Sequence, residues 1–244
     1  MNEVAYFHDL LERTPLPAWN VAKAEPYRLE IRLGSPVAMA QPWISFDSLV
    51  QYLMLEDALG EDLMLMSRTC RVDFPEQWQQ LPFQRTAEIW HASASVFIPA
   101  TMPRVTSYYK RFETRGSESL RKKKIQRDGF YWRDFILREP YFPCHTVLFF
   151  ACGDPEFMRE LLERHLLGVG RDFRIGWGAV RSWNIERLDT DCSLVLDGRA
   201  ARPIPVTMCS DYDPDDTAVL RIRPPYWQPG NECLCVPPGG RCVL

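Results

Sequence analysis

Hydrophobic and polar positions change period several times along the chain, and each change marks an element. Residues 3–13 read as a short amphipathic helix, which the Thr14-Pro15-Leu16-Pro17 segment ends. Tyr27-Arg28-Leu29-Glu30-Ile31-Arg32-Leu33 alternates apolar and polar, the period of a half-buried strand, and Gly34-Ser35-Pro36 closes it. Phe46, Leu49, Val50 and Leu53 then share one face of a helix that Ser45 or Asp47 can cap, with Gly60 just past its end. A strand is expected from about Ile89 to Ile98, with Trp90, Ala92, Ala94 and Val96 on one side and His91, Ser93 and Ser95 on the other.

Val147 to Cys152 is an unbroken apolar run that fits a buried strand. Asp154-Pro155-Glu156 is a strong helix start, with an N-cap carboxylate, a proline at the first position and an acid in the first turn. The stripe of that helix is Phe157, Met158, Leu161, Leu162 and His165, and Gly168 is its stop. Alternation returns from Ala179 to Leu188. The order is β-α-β, an insertion, β-α-β and a proline-rich end. It predicts an α+β protein with a ferredoxin-like split βαβ core (βαββαβ, RRM-like), as one decorated domain or two imperfect copies. No sharp repeat or linker divides the chain, so residues 1–26 read as an N-terminal extension and 27–244 as one domain.

Composition adds three constraints. An apolar fraction of 46% over 244 residues supports a sizeable core. Eight of the twenty prolines follow residue 200, which predicts short strands and loops there. Charge is unevenly spread: between Arg104 and Arg133 ten Lys/Arg face three acids, so the net −3 is the difference between +7 here and −10 elsewhere. A basic block on an otherwise acidic chain points to one localised polyanion contact. Met1-Asn2-Glu3-Val4 lacks the basic start and apolar run of a secretory leader, and no stretch approaches the roughly 18–20 apolar residues of a membrane span. A cytoplasmic protein without membrane contact is expected.

The block holds Lys110, Arg111, Arg115, Arg121, Lys122, Lys123, Lys124 and Arg127, flanked by Tyr108, Tyr109, Phe112, Phe130, Tyr131 and Trp132. Cations neutralise phosphates and release counterions, and aromatics stack on splayed bases, a combination suited to single-stranded RNA. The alternative is a solvated charge run whose aromatics belong to the core. Residues 168–180 make a second candidate: Gly168, Gly170, Gly176 and Gly178 admit positive φ and close approach, and Arg171 and Arg174 suit phosphate. Phe173 and Trp177 either stack on bases or plug the core beneath the loop, and Arg171 has Asp172 beside it as a salt-bridge partner. The stretch lacks the strand-then-GxGxxG order of a dinucleotide fold and the Lys-Ser/Thr of a P-loop, which favours nucleic acid over a mononucleotide.

Catalytic and metal signals are sparse. A metal-independent endoribonuclease needs a base for the ribose 2′-hydroxyl, and His91, on a polar strand face with Ser93 and Ser95, is the best candidate. His165 rides an apolar stripe, and His8 and His145 are poorer placed. Cys233-x-Cys235 with Cys242 is the main cysteine cluster, and no histidine lies near it, so free thiols are expected and neither metal nor cofactor.

Four stretches carry a family resemblance: Phe46-Asp47-Ser48-Leu49, Gly176-Trp177-Gly178 with Val180, Arg202-Pro203-Ile204-Pro205-Val206, and Arg223-Pro224-Pro225-Tyr226-Trp227. With the β-α start, the central basic insertion and the glycine loop before a strand, the sequence resembles the RAMP superfamily of CRISPR-associated proteins. More specifically, it resembles the type IV Cas-five-like (Csf-three) subunit. The resemblance implies a non-catalytic subunit that binds the 5′ handle of the guide RNA (crRNA) and caps one end of the ribonucleoprotein. It implies contacts with backbone and other effector subunits, a place near the PAM of the target DNA, and a role in defence against viruses and plasmids. A thumb-like insertion belongs to that picture, and residues at about 104–133 are its counterpart here. Precursor crRNA processing by relatives on this fold is the alternative activity.

Overall fold

The computed structural model describes residues 3–66, 71–110, 135–228 and 230–244. Among the described residues there are four α-helices: α1 (Glu3–Arg13), α2 (Phe46–Leu59), α3 (Glu61–Leu65) and α4 (Pro155–His165). Eight strands have three or more residues: β1 (Glu25–Leu33), β2 (Val96–Ile98), β3 (Arg104–Lys110), β4 (Phe135–Phe142), β5 (Thr146–Gly153), β6 (Val180–Arg187), β7 (Ala218–Arg221) and β8 (Glu232–Val236). The protein is thus mixed α+β, and its sheets are antiparallel.

The central sheet has the order β2-β5-β1-β6. Helix α2 lies in sequence between β1 and β2, and α4 between β5 and β6. The alternation read in β1 is the reason the sheet has two unlike faces. Tyr27, Leu29, Ile31 and Leu33 are buried, and Leu29 lies in register with Phe149 on β5 and Ile185 on β6. These side chains join Phe46, Val50 and Leu53 of α2 and Met158 and Leu161 of α4 in one core. On the opposite face Arg28 pairs with Glu186 across the β1–β6 register.

Helix starts follow local chemistry. The Asp154 carboxylate accepts from the Glu156 and Phe157 amides, each at 3.2 Å, with Pro155 opening the helix as expected. The same side chain accepts from the Asn20 amide at 3.1 Å, tying the N-terminal segment to α4. That segment is also packed, since Phe7 and Leu11 of α1 are buried in the main core. Ser45 precedes helix α2 as its N-cap residue without a side-chain cap bond, while Asp47 is buried and accepts from the Ser48 amide at 2.8 Å. Gly60 follows its last residue with φ +52°, as its place in the pattern suggested.

One expected strand is broken. Ile89–Trp90 and Val96–Ile98 are extended, but the residues between them form only isolated bridges, Ala92 to Ala151 and Ala94 to Ser45. The alternation there does not separate core from solvent: His91 and Ser93 are buried along with Trp90, Ala92 and Ala94. Ser93 repays its burial by accepting from the Phe150 amide at 2.9 Å through Oγ and donating to the Ala94 carbonyl.

Two further substructures flank the central sheet. Strands β3 and β4 form a ribbon, from Arg104 opposite Tyr141 to Lys110 opposite Phe135, and β4 continues into pairing with Val37–Ala38. The ribbon brackets residues 111–134, which lie outside the described residues. The proline-rich end forms a small sheet in the order Ile204–Pro205, β8, β7. It has a core of its own, with Ile89, Leu194, Ile204, Ile222, Cys235, Val236 and Cys242. Among the described residues no helix is long and apolar enough to cross a membrane.

Candidate nucleic-acid interface

The glycine-rich stretch is a turn whose free space is mostly taken by the protein itself. Gly168 and Ala179 face each other in a bridge closed by Val169 N to Gly178 O and Val180 N to Leu167 O, both 3.0 Å. Gly178 has φ +56°, and a Cβ there would stand 2.0 Å from the Val169 carbonyl oxygen. Gly170 has φ +82°, and its Cβ would meet Val37 Cγ1 at 2.5 Å and Ala38 O at 2.8 Å. Only glycine fits either place. A Cβ on Gly168 would meet Phe173 Cβ at 2.5 Å, whereas at Gly176 nothing lies within 4 Å. The close approach read from the sequence is therefore, at three of the four glycines, an approach of the chain to itself.

Several amides of the turn are spent in the same way. Arg171 donates to Ala38 O at 2.7 Å, Gly176 to Phe173 O at 2.9 Å, and Gly178 to Pro36 O at 2.7 Å. Ala179 donates to Ser35 Oγ at 2.9 Å. The turn also carries two arginine side chains. Arg171 is half exposed, with Nε 3.4 Å from Asp172 Oδ2 and Nη1 3.8 Å from Glu139 Oε1. Arg174 donates to the Tyr52 hydroxyl at 3.1 Å and lies over the Phe173 ring.

Glu139 and Trp177 join the turn to the β3–β4 ribbon. Glu139 is buried, and its Oε1 accepts no hydrogen bond, so the Arg171 guanidinium is its charged neighbour on the turn. Trp177 packs against Tyr141 and Tyr108, with ring centroids 5.4 and 6.3 Å away. Trp177 thus has a packing role between turn and ribbon. The glycine turn is thereby clamped to the two strands that precede and follow residues 111–134 in sequence. Lys110 ends β3. Arg111, Arg115, Arg121, Lys122, Lys123, Lys124 and Arg127 lie outside the described residues.

Arg171 lines two clefts. One, of about 510 Å³, is lined by Gln41, Trp43, Ser48, Arg171, Arg221 and Glu232 among others. The other, of about 360 Å³, is lined by Tyr52, Phe173 and Arg174 together with Arg171.

His91 sits in a relay. Its Nδ1 lies 2.5 Å from Asp191 Oδ2 and its Nε2 2.7 Å from Thr86 Oγ1. Burial alone would raise the Asp191 carboxyl, but hydrogen bonds from His91 and from Ser193 hold it below its ordinary value. The sequence offered His91 with Ser93 and Ser95 as neighbours; its actual partners are Thr86 and a carboxylate a hundred residues away. Among the other histidines, His165 Nε2 is 2.6 Å from Asp57 Oδ1, His145 Nδ1 is 3.0 Å from Thr146 Oγ1, and His8 is near Glu12.

A third group went unrecognised in the sequence: Asp47, Arg202 and Tyr226. Arg202 is almost fully buried and donates to Asp47 and to the carbonyls of Trp90, Ala92 and Ile222. Tyr226 donates its hydroxyl to Asp47 at 2.8 Å, and burial followed by the Asp47 charge pushes that hydroxyl far above its ordinary pKa. The available signal was an arginine and a tyrosine embedded in proline-rich apolar runs. The cysteines form pairs rather than a cluster: Cys233 with Cys235 at 3.4 Å and Cys242 with Cys209 at 3.3 Å. Among the described residues no group of three His, Cys, Asp or Glu is arranged to hold a metal ion.

The described residues form an antiparallel α+β core and a β3–β4 ribbon to which the arginine-bearing turn is clamped. The chain matches the family model of CRISPR type IV associated protein Csf3 over residues 110–238, just over half of its 244 residues, and belongs to that family. The family expectation drawn from the four sequence stretches is thereby met, and three of the four fall inside the match. No curated protein matches the chain.

Proposed function

We propose that this type IV CRISPR-associated protein is a non-catalytic subunit of the effector ribonucleoprotein that grips guide RNA and caps one end of the backbone filament. The observation that carries the reading is the clamp between the glycine turn and the β3–β4 ribbon. It ties the turn that carries Arg171 and Arg174 to the ribbon whose other end leads in sequence into Arg121, Lys122, Lys123 and Lys124, which supports a reading in which both cationic stretches follow one RNA strand. The central sheet supports a ferredoxin-like core of RAMP type, with the insertion as its thumb. Its order β2-β5-β1-β6, with antiparallel neighbours and helices after the first and third strands of the sheet in chain order, is that of a split βαβ pair. In this reading the subunit works in the cytoplasm beside other effector subunits, near the PAM-proximal target DNA.

The test replaces Arg121, Lys122, Lys123 and Lys124 with Ala and co-expresses the variant with the other effector subunits and a guide RNA. Assembled complex and co-purifying small RNA fall, binding in the wild type weakens steeply with salt, and the isolated variant remains folded. Unchanged assembly and RNA content overturn the thumb assignment.

A second reading, metal-independent cleavage of a guide precursor, draws on the Thr86–His91–Asp191 relay, in which a carboxylate orients an imidazole as a general base requires. Against it stands the burial of His91 and the engagement of both its ring nitrogens. Repeat RNA incubated without metal stays intact on the scaffold reading. Cleavage that disappears in His91→Ala establishes the endonuclease.

A further inference from the structure

We infer that the 510 Å³ cleft between the start of α2 and the C-terminal β7–β8 sheet is a pocket for one unpaired nucleotide. The inference rests on the reading of this chain as an RNA-binding subunit. It adds a specific subsite that shares Arg171 with the glycine turn and otherwise uses residues that neither the basic block nor the turn includes.

Three features point to a nucleotide. The volume lies within the range of roughly 300–1,000 Å³ typical of small-ligand sites. The wall combines a half-buried indole, Trp43, with two guanidinium groups, Arg171 and Arg221, and with the amide and hydroxyl groups of Gln41 and Ser48. That composition supplies a stacking surface for a base, cations for its phosphates and polar groups for a base edge. Glu232 also faces the cleft, and Arg221 donates to its Oε1 through Nε at 2.9 Å and Nη2 at 2.6 Å. The pair fixes the guanidinium at the mouth, and the carboxylate can accept from an exocyclic amine of a base.

The third feature is continuity. Arg171 lines this cleft and also the 360 Å³ cleft whose wall carries Tyr52, Phe173 and Arg174. A strand leaving the nucleotide pocket past Arg171 therefore enters a second site with aromatic rings and another guanidinium. One cation between two aromatic-lined clefts is the arrangement a phosphate between two splayed bases calls for. This places the path of the RNA along the α2 start and the turn, toward the root of the β3–β4 ribbon.

The full-length chain is tested with a fluorescein-labelled single-stranded RNA and with the same RNA carrying 4-thiouridine for photocrosslinking. Crosslinks mapped by mass spectrometry fall in residues 41–48 and 219–232. Trp43→Ala weakens binding about 5- to 150-fold, the range that loss of one stacked base produces, and Trp43→Phe restores most of it. Arg221→Gln weakens binding without changing the melting temperature. RNA binding that is lost in the four-residue basic-block variant but unchanged in Trp43→Ala, with crosslinks confined elsewhere, overturns the pocket and leaves the RNA-binding reading standing. A wild-type chain that binds no RNA at low salt overturns both. If Trp43→Ala fails to fold, the crosslink map of the wild type and the Arg221→Gln titration decide.

Discussion

Arg202 donates from Nη2 to Asp47 at 3.1 Å in an interior where the two side chains are 2% and 0% exposed. The contact joins the first residues of α2 to the proline-rich end of the chain, 155 residues later. Tyr226 closes the arrangement from a third segment by donating to the same carboxylate. Three of the four stretches behind the family resemblance therefore meet at one buried carboxylate. They fasten the proline-rich end of the chain to the start of α2. A buried ion pair of this kind is costly to break because the remaining charge has no solvent.

Arg202→Met leaves Asp47 with only Tyr226 and its own helix start, and Asp47→Ala strands a guanidinium in the core. Each single substitution is expected to cost about 3–5 kcal/mol in urea denaturation. The double variant Asp47→Leu/Arg202→Met loses less than either single one, since no orphaned charge remains. Additive losses would contradict the pairing.

The glycine turn separates steric from conformational need. Gly178→Ala drives a methyl into the Val169 carbonyl at a position of positive φ, whereas Gly176→Ala meets positive φ alone. The first variant is expected to lose most of its folded population, and the second about 1–2 kcal/mol, the ordinary cost of a left-handed residue. Thermal melts of the pair would show it. Equal losses would mean that the crowding at Gly178 relaxes freely.

The His91–Asp191 pair gives an acid-side dependence. The folded Asp191 carboxyl is held below its ordinary value, so its contribution is present above the usual carboxylate range and lost as pH falls through the folded pKa. The melting temperature of the wild type should exceed that of Asp191→Asn near neutrality, and the gap should close on acidification. A gap independent of pH would locate the stabilisation elsewhere.

Thiols supply the alkaline counterpart. Burial pushes both Cys144 and Cys152 up to about 11. A thiol raised in the folded state stabilises fully below its ordinary pKa of about 8.5, and that stability drains away as pH climbs toward 11. At pH 8 iodoacetamide is expected to leave both unmodified in the folded protein and to label them after denaturation. Rapid labelling of either thiol in the native state would refute its burial.

Much of the local structure was legible because period and punctuation are local properties. The alternation of Tyr27 to Leu33 gave away β1, Asp154-Pro155 the start of α4, and Gly60 the end of α2. The run from Ile89 to Ile98 misled for a physical reason. Its polar side chains, His91 and Ser93, are buried on hydrogen-bond partners supplied by distant segments, so polarity there does not mark a solvent face. Asp47 shows a second demand that spacing does not reveal: it accepts from the Ser48 amide at the helix start and from Arg202 in the core.

Residue identity and short-range spacing were enough for α1, β1, α2, β5, α4 and β6, for the concentration of cations between Arg104 and Arg133, and for membership of the type IV family. What the glycines make room for, which carboxylate holds Arg202, and that Arg171 lines two clefts beside the ribbon came from the folded structure alone. Those relationships join residues tens to more than a hundred positions apart. No local pattern encodes them, since they arise when the core closes and buried charges must find partners.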